Sequence, residues 1–168
     1  MIIGVDPGKL GCFAFVDFTD DGKGRVTLLA NAAGKEVNGY YGYDPHELGK
    51  IYFLCKGGNA WIEMPQTRFK NSAKSTLTTG VGYGLLLGAL SSASQLTCVE
   101  AKAWKATLGL IGPGGPKEAK LRAIDFFQTT CVNVDEANAM RRGTSIALDG
   151  LADAFGIACY GYQQAVKQ

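Results

Sequence analysis

Four acidic residues of this chain stand at the ends or in the interior of apolar segments. Asp6 ends the N-terminal apolar run and Glu63 ends a second one. Asp149 and Asp153 lie four residues apart in an apolar helical pattern near the C-terminus. Carboxylates are rarely buried unless they are paired or bind a metal. The pattern therefore predicts a fold that gathers these carboxylates around a cation.

The order of predicted elements is typical of an α/β fold. Strand-like patterns are found at residues 2–6, 12–18, 25–30, 59–63 and 96–100,. Helical patterns are found at residues 45–56, 75–93, 101–108, 117–128 and 145–165,. We expect one domain over residues 1–168, with a mixed sheet and helices on both of its faces.

This arrangement bears on the position of two acidic residues. If strands 2–6 and 59–63 are neighbours in the sheet, Asp6 and Glu63 lie side by side.

Two segments between the predicted elements carry no clear period and are expected to be irregular. They are a Gly-, Asn- and Tyr-rich stretch before residue 44 and the stretch 129–144,.

Composition restricts the class of protein. The chain is 46% hydrophobic and 19% charged, as in ordinary soluble proteins, and no apolar run reaches the length of a membrane span,. Its five cysteines are scattered without a C-x-x-C pair, which argues against a disulfide framework or a structural zinc site and favours a reducing compartment,. We therefore expect no membrane partner.

Basic residues concentrate in the middle of the chain. Residues 68–122 hold eight Lys and Arg against two Glu, whereas residues 1–63 carry a net charge of −2. Such a local excess fits a face that binds a polyanion. Solvated helix faces are the alternative interpretation.

The four carboxylates suit metal-dependent phosphoryl chemistry. Residues four apart on a helix share a face, so Asp149 and Asp153 present their carboxylates to one region. Mg²⁺ prefers oxygen ligands, and a pair of such ions about 3.5–4 Å apart can activate water and stabilise a leaving oxygen. The alternative is that one or two of these acids are helix caps or salt-bridge partners.

Three motifs resemble the RuvC-type Holliday-junction resolvases of the RNase H-like superfamily. They are Gly4-Val5-Asp6-Pro7-Gly8, Ile62-Glu63, and the segment 149–158 on the last helix. The bacterial form places its last two acids three apart, so the spacing of four here looks closer to the phage and organellar branch. Actin-like ATPases share the first motif, and an ATP-binding domain is an alternative, although that architecture needs a second lobe.

The resemblance implies an RNase H-like mixed β-sheet and an endodeoxyribonuclease that resolves four-way DNA junctions. It implies a homodimer that makes paired symmetric nicks with two Mg²⁺ ions per active site, for which Mn²⁺ can substitute. It also implies Asp6, Glu63, Asp149 and Asp153 as metal ligands. Lys117 is the expected catalytic lysine, at a helix N-terminus that favours anions.

Basic and aromatic residues are the expected DNA contacts, with Phe69 as the candidate wedge that stacks on an unpaired base. The expected set is Arg68, Phe69, Lys70, Lys74, Lys102, Lys105, Lys120, Arg122, Arg141 and Arg142. The expected location is the cytoplasm of a bacterial or phage-infected cell, or an organellar matrix or stroma if a transit peptide has been removed. The alternatives are a nuclease for RNA–DNA hybrids or other branched DNA, and a junction-binding protein that does not cut.

Overall fold

The main sheet of the computed structural model is mixed and has five strands. The structure describes residues 1–8, 11–37, 40–66, 72–142 and 144–167. The strands are β1 (Ile2–Val5), β2 (Phe13–Phe18), β3 (Gly24–Ala30), β4 (Ala33–Val37), β5 (Tyr40–Tyr43), β6 (Asn59–Glu63) and β7 (Gln95–Val99). The main sheet has the order β3-β2-β1-β6-β7, and β4 pairs with β5 separately. Strand β2 is antiparallel to β1 and β3, whereas β6 is parallel to β1 and β7.

Six α-helices lie within the described residues. They are α1 (Pro45–Leu54), α2 (Ala73–Ala89), α3 (Ala101–Thr107), α4 (Pro116–Thr130), α5 (Val134–Arg141) and α6 (Leu148–Val166). Helix α1 begins as its sequence predicts, because the carboxylate of Asp44 accepts a hydrogen bond of 2.8 Å from the His46 amide,. Among these described helices, none combines the length and the apolar character that crossing a membrane requires.

The core lies on both sides of the sheet, because successive residues of a strand point to opposite faces. On one face, Ile3 and Phe15 pack with Ile51 of α1 and Leu86 of α2. On the other face, residues of β2 and β3 pack with α4, α5 and α6, in a cluster that includes Phe155. The predicted mixed sheet with helices on both faces is therefore confirmed.

Helix α6 crosses β1 at unusually short range. A Cβ atom on Gly4 would lie 1.9 Å from the carbonyl oxygen of Ala154 and 2.6 Å from the amide nitrogen of Ala158. Only a residue without a side chain allows this approach. The contact places the backbone next to Asp153 against the strand that Asp6 directly follows.

The two segments expected to be irregular contain regular structure. The first forms the antiparallel pair β4 and β5. The second contains α5, which follows the buried Asn133, whose amide group exchanges hydrogen bonds of 2.9 and 2.8 Å with the backbone of Val26. This anchor to β3 is a contact between residues 107 apart, so no local period predicts it.

Candidate active site

The sheet brings two of the four carboxylates to one edge. Strands β1 and β6 are parallel neighbours in which Val5 lies opposite Ile62. The carboxyl ends of the two strands therefore meet, with Asp6 directly after β1 and Glu63 as the last residue of β6. The adjacency expected from the sequence is present.

The turn after β1 holds Asp6 in place. The backbone amide of Asp6 donates to the carbonyl of Cys12 at 3.1 Å, and the Oδ1 atom of Asp6 accepts from the Gly8 amide at 3.1 Å. A Cβ atom on Gly11 would lie 2.2 Å from the Asp6 carbonyl oxygen and 2.8 Å from Oδ2. Glycine at position 11 is thus required by the close approach of the backbone to this carboxylate.

Helix α3 supplies neighbouring donors to two carboxylates. The indole Nε1 of Trp104 donates to Oε2 of Glu63 at 2.8 Å. The ammonium group of Lys105 lies 3.4 Å from Oδ2 of Asp153 and 4.7 Å from the centre of the Trp104 ring. The buried Trp104 ring thus packs in the core and also donates a hydrogen bond to Glu63.

Asp149 has a different environment from the other three acids. Lys120 of α4 lies 2.5 Å from its Oδ2 atom. This lysine holds the pKa of the Asp149 carboxyl below its usual value, and the carboxylate in turn raises the pKa of Lys120. The side chain of Lys120 is still 63% exposed, so the pair lies at the rim of the site.

Desolvation raises the pKa of the other three carboxylates. The pKa of Asp6 is raised from 3.8 to about 7, mainly by desolvation and to a smaller extent by the charges of Asp153, Glu63 and Asp149, against the hydrogen bond from Gly8,. Burial also raises the pKa of Glu63 and of Asp153, although Trp104 and Lys105 act in the opposite direction. The four acids therefore act on one another electrostatically, and the two lysines that contact Asp149 and Asp153 offset only part of this effect.

The donor chemistry of the site fits a divalent cation. Carboxylate oxygens are the ligands that Mg²⁺ prefers, and a cation would offset the desolvation and the carboxylate charges that together raise the pKa of Asp6,. Within the described parts of the chain, no three His, Cys, Asp or Glu side chains converge as a preformed metal site would. Trp104, Lys105 and Lys120 already contact three of the four acids.

The raised pKa of Asp6 predicts how stability depends on pH. Its folded-state pKa of about 7 exceeds the usual 3.8, so unfolding releases a proton between about pH 4 and pH 7. Stability contributed by this group is therefore lost as pH rises through that window, by about 4 kcal/mol at most. We expect Asp6→Asn, with EDTA present, to be more stable than the wild type at pH 8 and to lose this advantage at pH 4.5.

Urea denaturation of both proteins at several pH values measures the difference. A stability difference that stays constant from pH 4.5 to pH 8 would show that Asp6 ionises in the folded protein as it does in the unfolded chain.

A cleft of about 390 Å³ opens beside Asp6 and Glu63. Its other walls come from the turn after β1, from β5, from the segment after β6 and from one face of α2, and they consist of Pro7, Gly8, Tyr43, Pro65, Thr78, Thr79, Gly82 and Tyr83. The hydroxyl of Tyr43 donates to the carbonyl of Pro7 at 3.2 Å and so joins β5 to the turn that carries Asp6. Sequence reasoning missed Tyr43, because it lies in a segment without a periodic signal.

The expected DNA-binding residues that the structure describes fall into three groups: cations that contact the carboxylates, arginines that contact backbone carbonyls, and cations exposed to solvent. Lys105 and Lys120 contact the carboxylates, whereas Arg122 donates to the carbonyls of Leu110, Pro113 and Gly112 and fastens the glycine-rich loop before α4. The Nη1 atom of Arg141 lies 3.5 Å from the carbonyl of Ile146. The exposed group is Lys74, Lys102, Lys117 and Arg142. Arg68, Phe69 and Lys70 lie outside the described residues.

The lysine that reaches the acidic cluster from α4 is Lys120. Lys117 is exposed in the first turn of this helix, and Lys120 lies one turn later, at 2.5 Å from Asp149. Helical spacing puts both on similar faces of α4, so the sequence alone could not tell which one meets the acids.

The five-stranded mixed sheet with helices on both faces is the RNase H-like α/β fold. In this chain, acids lie at the carboxyl ends of β1 and β6. The fold is that of RuvC. A solved structure of Thermus thermophilus RuvC in complex with a Holliday junction substrate matches with a TM-score of 0.57 and 16% identity, covering 99% of this chain and 95% of that one. A second Thermus thermophilus RuvC structure matches with a TM-score of 0.54 and 16% identity, covering 98% and 94%.

No protein-family model matches the sequence, and no curated protein matches it at a significant level. At 16% identity, the likeness to RuvC shows the fold and does not bear on the phage and organellar branch.

Proposed function

We propose that this protein is an endodeoxyribonuclease that resolves four-way DNA junctions by metal-dependent hydrolysis. The observation that carries the proposal is the position of Asp6 and Glu63 at the carboxyl ends of neighbouring parallel strands in a RuvC-like sheet, with Asp153 of α6 joined to the same region through Lys105. Support for the substrate comes from the solved RuvC structure with a Holliday junction. The chain covers that protein almost completely, so the proposal concerns the whole domain.

The four carboxylates are the proposed ligands of two Mg²⁺ ions, with Mn²⁺ as a substitute. When bound, such a pair supplies an activated water and stabilises charge on the leaving oxygen. Lys120 has to release Oδ2 of Asp149 before that oxygen can accept a metal. Its exposed ammonium can then turn to a DNA phosphate, while Lys105, which is only 26% exposed, stays against Asp153.

Phosphate contacts supply most of the proposed affinity for DNA. The exposed cations Lys74, Lys102, Lys117 and Arg142 are the proposed contacts, together with Arg68 and Lys70, which follow β6 in the sequence. Lys117 is proposed as a catalytic lysine because it lies at the N-terminus of α4, where amide groups favour anions,. Phe69, which follows Arg68 in the sequence, is the proposed wedge that stacks on an unpaired base.

A homodimer is proposed because a nearly symmetric junction needs two cuts. Helix α2 carries an exposed apolar stripe at helical spacing, in which Leu77, Val81 and Leu85 are 57%, 57% and 45% exposed. Beside it, Gly80 and Gly84 have open space where a side chain would be, which allows a second backbone to approach. We propose this face of α2 as the dimer contact.

We expect Val81→Glu to shift the dimer to monomer, because it places a charge in the centre of the proposed apolar contact. Val166→Glu is the matched control, since Val166 is 66% exposed at the end of α6. Sedimentation velocity at micromolar concentration reports the species present. If the two variants sediment alike, the contact does not involve this stripe.

The branch and the location are further proposals. The four-residue spacing of Asp149 and Asp153 supports the phage and organellar branch. The enzyme would then act in the cytoplasm of a bacterial or phage-infected cell, or in an organellar matrix or stroma.

A substrate panel tests the proposed function. We expect binding and Mg²⁺-dependent cleavage of a four-way junction to exceed those of a linear duplex, a three-way junction and an RNA–DNA hybrid of equal length. Preferential cleavage of the hybrid would keep the metal site and change the substrate. Tight junction binding without cleavage at any Mg²⁺ or Mn²⁺ concentration would make the protein a junction-binding module.

A further inference from the structure

Trp104 is a buried residue whose one polar side-chain atom forms a hydrogen bond with a carboxylate. Its side chain is fully buried, and its indole N–H donates to Oε2 of Glu63 at 2.8 Å. The indole nitrogen is a donor only, so this bond requires an oxygen acceptor and defines which way the ring faces. A residue 41 positions away in the chain thus holds the last residue of β6.

The ring is held by α6 as well as by the hydrogen bond. A Cβ atom on Gly156 would lie 2.8 Å from Cζ3 of Trp104, so the helix has a glycine where the ring packs. Lys105, the next residue, lies against the ring and reaches Asp153. The consecutive residues 104 and 105 therefore contact carboxylates that belong to two different elements.

The two donors have opposite consequences for a bound cation. An ammonium group on a carboxylate neutralises it and repels a metal from the same oxygen. A neutral indole orients the carboxylate, leaves its charge in place, and occupies one oxygen while Oε1 stays available. A glutamate without such a partner would sample several rotamers, because three torsions separate its carboxylate from the backbone.

We propose that Trp104 is a positioning residue that holds Glu63 in the orientation in which it binds a divalent cation. The inference rests on the proposed function and deepens it. Hydrogen-bond partners of metal ligands commonly change metal affinity by about 10–100-fold when they are removed. Trp104 acts through Glu63 and does not itself touch metal or DNA.

The test compares Trp104→Phe with Trp61→Phe. Phenylalanine keeps an aromatic ring at position 104 and removes the N–H donor. Trp61 is the matched control, since it lies two residues before Glu63 on β6 and packs edge-on against Tyr160 at 5.5 Å between ring centres. Isothermal titration with Mn²⁺ alone measures metal affinity without DNA.

We expect Trp104→Phe to weaken Mn²⁺ binding by about tenfold or more, and Trp61→Phe to change it less than twofold. Junction affinity measured without metal should be unchanged in both variants. Mn²⁺ affinity of Trp104→Phe within twofold of the wild type would overturn the inference. Equal losses of affinity in the two variants would also overturn it, because loss of aromatic volume would then explain both.

A second measurement covers the case in which Trp104→Phe does not fold. In Trp61→Phe, Trp104 is the only tryptophan. Paramagnetic Mn²⁺ should then quench its fluorescence, and the added change Glu63→Gln should remove the quenching. Failure to quench in Trp61→Phe would overturn the inference.

The two claims can fail separately. Mn²⁺ binding that depends on Trp104 in a protein that cuts no junction would contradict the proposed function and support this inference. Junction cleavage by a protein whose Mn²⁺ affinity does not depend on Trp104 would contradict this inference and support the proposed function.

Discussion

Asp6→Asn is expected to reduce junction cleavage by about a thousandfold or more, while junction binding stays within a few-fold of the wild type. Asp6 directly follows β1 at the edge where Glu63 ends β6, and the charges of the other three acids help to raise the pKa of its carboxyl. Replacing it with a neutral amide removes the charge of a proposed metal ligand. Metal-based charge stabilisation contributes several kcal/mol to such reactions, and each 1.4 kcal/mol is about a factor of ten in rate.

Single-turnover cleavage and gel-shift titrations of the same labelled junction separate the two effects. Glu63→Gln should behave like Asp6→Asn, because it removes the charge of the acid at the end of the neighbouring strand. Asp21→Asn is the control, since Asp21 lies exposed in the turn between β2 and β3. Parallel losses of binding and cleavage in Asp6→Asn would mean that this carboxylate is structural.

Gly4→Ala is expected to prevent folding or to lower the free energy of unfolding by about 4 kcal/mol or more, a loss that only core disruption or similar defects produce. The added Cβ atom would lie 1.9 Å from the carbonyl oxygen of Ala154, and neither backbone can yield without moving α6 away from β1. Such a movement would also carry Asp153 away from Asp6. The loss should therefore appear in both stability and metal binding.

Gly49→Ala is the matched control for this substitution. Gly49 lies within α1 with no atom within 4 Å of its Cβ position, so alanine should stabilise the helix by up to about 1 kcal/mol,. Urea denaturation followed by circular dichroism measures both variants. A Gly4→Ala protein within 1 kcal/mol of the wild type would contradict the close contact between β1 and α6.

The parts of the fold with strong local patterns were predictable. Strands β1 and β6 are short apolar runs that each lead into an acid, and their parallel pairing brings Asp6 and Glu63 to one edge. The start of α1 agrees with the helical pattern at residues 45–56, because the Asp44 cap and Pro45 act through local chemistry,. Helices on both faces followed from the order of the elements.

Contacts between distant segments were not predictable in the same way. The bond between Trp104 and Glu63 joins α3 to β6, and periodicity identifies Trp104 only as a buried ring. Tyr43 reaches the turn after β1 from a strand whose sequence has no alternation. The choice between Lys117 and Lys120 depends on how α4 is rotated against α6, which the spacing of the lysines does not define.

Mapping the cuts in a branch-migratable four-way junction tests the central claim most directly. Each strand is labelled in turn, and the wild type is compared with Asp153→Asn in the presence of Mg²⁺. The proposed function predicts nicks at symmetric positions in two opposite strands, and none with the variant. Unpaired nicks at unrelated positions, or equal cutting by Asp153→Asn, would contradict a two-fold resolvase that depends on these carboxylates.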